Sequence, residues 1–106
     1  MKLGIILETK EPEKAWNAFR FANAALMKEH EVKLFLMGEA VECENIEHPS
    51  FNVKDQMNKF EELEGELLAC GTCLKSRLLD KTTTCPISTM DDCVKVVEWA
   101  DKMITF

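Results

Sequence analysis

Cys70 and Cys73 lie three residues apart in the stretch Leu67-Leu68-Ala69-Cys70-Gly71-Thr72-Cys73-Leu74-Lys75-Ser76-Arg77. The stretch opens as an apolar strand, turns at Gly71 and continues in residues that suit a helix. In an open α/β sheet, reactive groups and ligands collect just beyond the carboxyl end of a strand. A thiol placed there faces backbone N–H groups and the positive end of a helix, and both favour the thiolate. Lys75 and Arg77 add positive charge on the following turns. Gly71 lets a ligand approach the backbone, and Thr72 lies beside it. The thiolate is the nucleophile, and the same setting suits an anionic persulfide. Cys73 is near enough to attack a Cys70 persulfide or to form a disulfide with Cys70.

Four chemistries compete for this pair: a sulfur carrier holding a persulfide on Cys70, a dithiol–disulfide redox motif, half of a structural zinc site, and plain packing. Zinc needs two further ligands, and Cys85 and Cys93 are not spaced as a second pair. Cys43 and His48 lie five residues apart with no partner pair near them and read as ordinary loop residues. The expectation is therefore no metal and no cofactor. Cys85, just before Pro86, and Cys93, on an apolar helix face, read as small buried hydrophobes.

The elements that must position the pair follow from periodicity. Lys2 to Leu7 reads as a first strand, apolar on both faces as a buried parallel strand should be. Pro12 suits the first turn of a helix. Ala15, Phe19, Ala22 and Leu26 recur at helical spacing, and the helix is expected to end near His30. Val32 to Met37 is a second strand closed by Gly38, which turns into a short helical segment. Cys43 to Phe51 reads as a loop. Asn52 caps a helix on Val53, Met57, Phe60 and Leu63, with Gly65 as its stop.

Glu66 to Ala69 is the third strand, ending at Cys70. A short helix capped by Thr72 or a neighbour should run to about Leu79. Cys85-Pro86-Ile87 makes a short fourth strand. Pro86 cannot donate to a ladder, so this strand belongs at a sheet edge. Ser88 or Thr89 caps a last helix whose Cys93, Val96, Val97 and Ala100 share one face. Lys102 to Phe106 is the fifth strand. The β-α alternation implies one α/β domain over 1–106, with a mostly parallel sheet and helices on both faces.

The 106 residues suffice for one core, and 46% are hydrophobic. No apolar run is long enough to span a membrane, and the N-terminal run is too short for a signal peptide. A cytoplasmic location is expected, where five cysteines would stay reduced. The net charge of −6 argues against nucleic acid or an anionic membrane as a direct partner.

Three segments resemble the DsrE/DsrF-like family, small sulfur-relay subunits that include the TusD-type proteins. They are Phe35-Leu36-Met37-Gly38-Glu39-Ala40-Val41, the cysteine stretch Leu68 to Arg77, and the closing Trp99-Ala100-Asp101-Lys102-Met103-Ile104-Thr105-Phe106. The resemblance implies a three-layer α/β/α, DsrEFH-like fold with a five-stranded parallel sheet in the order 4-3-2-1-5. It implies a homotrimer or hexamer, or a heterohexamer with sister subunits, with sulfur donor and acceptor proteins as partners. It also implies that Cys70 carries the sulfur; Cys73 is not shared by all members, and the residues themselves suggest it as an auxiliary thiol, with Gly71, Thr72, Lys75 and Arg77 around the site.

Overall fold

A computed structural model describes residues 1–106. Its sheet contains β1 (Lys2–Leu7), β2 (Glu31–Leu36), β3 (Glu66–Cys70), β4 (Ile87–Ser88) and β5 (Lys102–Thr105). All neighbours pair in parallel, in the order β4-β3-β2-β1-β5. The fourth strand lies at the edge as expected, but it spans Ile87–Ser88 rather than Cys85 to Ile87: Pro86 stands just before it, lends only its carbonyl to Ala69 and has no N–H to extend the ladder. The strand order implied by the resemblance is the one observed.

Alternation along each strand sorts side chains onto two faces. Leu3, Ile5 and Leu7 of β1, Val32, Leu34 and Leu36 of β2, and Ala69 of β3 are buried under α1 (Pro12–Met27) and α2 (Val53–Glu62). The Phe19 and Phe60 rings meet edge-on there, with centroids 5.8 Å apart. A side chain at Gly4 would run into Met103 and Val96, so Gly4 faces α4 (Met90–Trp99). Through the register Gly4–Lys33–Glu66, Leu68 and Cys70 face α4 as well. The Cys70 sulfur therefore lies on the opposite side of the sheet from the main aromatic core.

Local capping explains where the helices begin. The Glu11 carboxylate accepts from the N–H groups of Glu13 and Lys14 ahead of Pro12. Asn52 accepts from the Asp55 N–H at 3.0 Å, as its position suggests. Thr89 and Asp92 form a reciprocal capping box at the start of α4.

The helix ends differ from expectation. α1 stops at Met27 rather than near His30, and α3 runs over Gly71–Ser76 rather than to Leu79. In both, as in α2, a residue with positive φ follows the cap: Glu29 (69°), Glu64 (67°) and Leu78 (57°). The next two N–H groups bond back to the last turn in each case, which is the Schellman closure. Gly65 does not itself take the left-handed conformation at the end of α2; Glu64 does. Cys70, not Thr72, occupies the cap position of α3. Cys43 lies in a 3-10 helix, Gly38–Asn45, and is buried rather than in a loop. Val97, expected on the inner face of α4, is 48% exposed, while Cys93 and Val96 face in.

The connection from α3 to β4 is tied down by one carboxylate. Glu44 accepts from the Thr83 hydroxyl at 2.7 Å, the Thr84 N–H at 3.0 Å and the Thr84 hydroxyl. Lys54 stands 3.7 Å away. Burial pushes the Glu44 carboxyl up, but these hydrogen bonds and Lys54 outweigh it and hold the group below its ordinary value of 4.5. A depressed folded value contributes stability above that ordinary value and loses it as the pH falls through the folded one. Glu44→Gln should cost about 1–3 kcal/mol at pH 7 by urea unfolding, since hydrogen bonds to a buried charge are lost. The difference from the parent should shrink as the pH drops below 4.5.

Candidate functional site: a thiol pair at the end of β3

β3 delivers Cys70 to the rim of the sheet, where it pairs in register with Ser88 of β4. Cys70 has extended backbone (φ −62°, ψ 115°) and begins α3 without a side-chain cap. The chain changes from strand to helix within one residue, which holds the sulfur against the end of the sheet. Cys70 is only 3% exposed.

Cys73, one turn on, is partly exposed and is the thiol of the pair that solvent reaches. Its Sγ accepts the Gly38 N–H at 3.2 Å. Gly38, two residues past the end of β2, has a φ of 58°, a conformation glycine adopts without strain. Burial pushes the Cys73 thiol up, the Gly38 N–H pulls it down, adjacent Cys70 pushes it up again and Arg77 opposes the rise; the balance lies above the ordinary thiol value.

Helical periodicity divides the six residues named from the sequence into two groups. Cys70, Cys73 and Arg77 recur at i, i+3 and i+7 and stack on one side of the turn. Gly71, Thr72 and Lys75 occupy the other side and line an open depression with Ser88, Thr89 and Met90. Arg77 is committed to a neighbour: its Nε donates to Glu42 at 3.0 Å, and its terminal nitrogen donates to the Cys73 carbonyl at 3.2 Å. It braces the turn through the Cys73 carbonyl, and its charge acts on the Cys73 thiol across space rather than by a contact with sulfur. Lys75 is exposed on the far side.

Sequence reasoning missed three participants. Gly38 was legible as the end of a strand, but its N–H meets Cys73 across 35 residues of chain. Glu42 stands in the 3-10 helix and neutralises Arg77. Cys93 lies near Cys70; burial raises its thiol, and a charge on Cys70 would raise it further. The other two cysteines stand apart from the pair. Cys43 donates to the Thr9 carbonyl at 3.7 Å, and burial, then Cys85 and nearby glutamates, push it to about 12. Cys85 is raised by burial and by Glu44. No group of three or more His, Cys, Asp or Glu side chains is arranged to hold a metal. No helix is long and apolar enough to cross a membrane.

The fold and site define a parallel α/β protein with a CxxC thiol pair at a strand-to-helix turn. The DsrE/DsrF-like family model matches residues 1–106, and the chain belongs to that family. It is 31% identical to the uncharacterized protein MJ0989 of Methanocaldococcus jannaschii, with both chains fully covered. It is 35% identical to the uncharacterized protein MK0008 of Methanopyrus kandleri, over 89% of this chain and 83% of that one. The crystal structure of the ychN protein from E. coli superposes over both whole chains with a TM-score of 0.85 at 23% identity, which establishes the fold.

Burial orders the reactivity of the thiols. In the native protein a small alkylating reagent should modify Cys73 first and leave Cys43 untouched until unfolding, as peptide mass spectrometry after a timed quench would show. Because the folded Cys43 value is raised, its contribution to stability is full below the ordinary value of 9.0 and is lost as the pH rises toward about 12. Cys43→Ala should flatten that alkaline loss in an unfolding series.

Proposed function

We propose that this protein is a sulfur carrier that receives sulfane sulfur from a persulfide donor and holds it on Cys70. The observation that carries the reading is the arrangement of the pair: a partly exposed Cys73 with a backbone N–H on its sulfur, beside a buried Cys70. The Cys73 thiolate attacks the outer sulfur of the donor persulfide, forming Cys73–S–SH and releasing the donor thiolate. The Cys70 thiolate then attacks that same outer sulfur, so Cys70–S–SH forms and the Cys73 thiolate leaves. Electrons and atoms balance without an external oxidant. The Gly38 N–H stabilises negative charge on Cys73 at both steps, and burial shields the Cys70 persulfide from water and stray thiols. Membership of a sulfur-relay family and five free thiols support this chemistry in a reducing compartment such as the cytoplasm.

Acceptor and donor proteins would dock where Cys73 opens. We also propose a homo-oligomer, a trimer or hexamer. Met90, Val94 and Val97 form an apolar stripe on the outer face of α4, each about half exposed, and a second copy would cover it. Val94→Glu should reduce the molar mass measured by light scattering to that of one chain, with the circular dichroism spectrum unchanged. An unaltered mass would show that the stripe is not the interface.

Incubation with a persulfide donor, then alkylation and peptide mass spectrometry, tests the carrier. The parent should gain one sulfur on Cys70. Cys73→Ser should load at least tenfold more slowly, and Cys70→Ser should hold its sulfur on Cys73 and lose it readily to added thiol. Loading of Cys70→Ser as stable as the parent's would remove Cys70 from the role. Loss of two hydrogens across the pair, without added sulfur, would favour the dithiol–disulfide chemistry instead.

A further inference from the structure

The lower half of β3 has no neighbour on one side. In a parallel strand the N–H and C=O of a residue point the same way, and the direction alternates along the chain. The Ala69 N–H donates to the Pro86 carbonyl at 2.9 Å, so Ala69 faces β4, and so must Leu67 two residues earlier. β4 begins only at Ile87 and pairs with Ala69 and Cys70 alone. A ladder continued downward would require the N–H of residue 86 to reach the Leu67 carbonyl, and residue 86 is proline. The Leu67 N–H would need the Thr84 carbonyl, but there the chain is drawn aside by the bonds of Thr83 and Thr84 to Glu44. Neither backbone group of Leu67 has a hydrogen-bond partner within the protein.

The lane left open is part of a cleft of about 230 Å³ between α2, β3 and the segment entering β4. Met57, Phe60, Leu67 and Pro86 give it an apolar floor, Lys54, Asn58, Glu61 and Glu66 a polar rim, and Thr84 and Cys85 close one side. It lies on the α2 side of the sheet, away from the sulfur of Cys70. At this volume it is smaller than a drug-sized pocket, and the protein's own chain blocks the lane at Thr84–Pro86. A ring-sized molecule fits these limits better than an extended peptide does.

We propose that this cleft binds a compact planar ligand bearing an adjacent N–H and C=O, a cyclic amide of one or two rings. Its amide edge pairs with Leu67 as a neighbouring strand would. Its C=O accepts the Leu67 N–H, its N–H donates to the Leu67 carbonyl, and its ring lies against Met57, Phe60 and Pro86. The site does not depend on the sulfur chemistry of Cys70 and Cys73.

The test is a titration of the full-length, ¹⁵N-labelled protein with 2-pyridone, followed by amide chemical shifts. The Leu67 amide should move saturably. N-methyl-2-pyridone, which keeps the ring and the carbonyl but lacks the donor, should bind about three- to tenfold more weakly, the usual worth of one hydrogen bond. Pro86→Ala supplies the missing N–H to the Leu67 carbonyl, so it should zip the lane shut and weaken 2-pyridone at least tenfold. No saturable Leu67 shift, or equal binding of the two lactams, would overturn the proposal on the parent protein alone. Undiminished binding by a folded Pro86→Ala variant would do so too. Tighter binding of an acetylated dipeptide methylamide than of 2-pyridone would overturn it in favour of strand addition.

Discussion

The carboxylate of Glu44 holds together the part of the molecule that faces the thiols. β4 is two residues long and has no hydrophobic partner beyond it, so ladder bonds alone would hold it weakly beside β3. Glu44 supplies what is missing by anchoring Thr83 and Thr84 just before the strand begins. With that anchor in place, Ser88 lies beside Cys70, Thr89 caps α4, and α4 brings Cys93 and Val96 over the sheet. The energetic logic is that of a buried, fully used acceptor. The cost of desolvating the carboxylate is offset by several donors, and removing it would leave those donors without a partner.

The thiol site is assembled from two consecutive crossovers of the sheet, β2 to β3 and β3 to β4. Just beyond β2, Gly38 starts the 3-10 helix and offers an N–H. β3 ends at Cys70 and starts the helix that carries Cys73. The 3-10 helix between β2 and α2 carries Glu42, which holds Arg77 in place. Such a rim is where open α/β sheets place their chemistry. The fold does not specify that chemistry; the thiols and their hydrogen-bond donor do. The charge arrangement is economical, because Arg77 is paired with Glu42 and contributes orientation more than free positive charge. Exposure separates the two sulfurs: one is open to a partner and one is shielded by the sheet and α4.

Much of this was legible along the chain. The continuous apolar runs of β1 and β2, Pro12 before a helical repeat, Asn52 three residues before Asp55, and Thr89 before two aspartates each carry a local physical meaning, and each was matched. Pro86 pointed to an edge position for the strand beside it, because a residue without an N–H cannot serve a central ladder, although the strand itself begins only at Ile87. The errors fell at helix ends. Glu29, Glu64 and Leu78 take left-handed conformations that no side-chain preference announces, because the hydrogen bonds that close each helix end offset the local strain. Cys43 read as a loop residue since a 3-10 helix has no long apolar repeat to betray it. The outward turn of Val97 depended on which face of α4 meets the sheet.

Residue types and their spacing were sufficient for the β-α alternation, the strand-to-helix turn and the pairing of two thiols within it, since these depend on neighbours only a few positions away. Which thiol is open and which is buried could be decided only when α4 folded across one face of the sheet. The Gly38 N–H on Cys73, the capture of Arg77 by Glu42 and the anchoring of Thr83 and Thr84 by Glu44 each join residues 35 to 40 positions apart. No local propensity encodes such contacts; they exist because the crossovers of a parallel sheet return distant segments to the same rim.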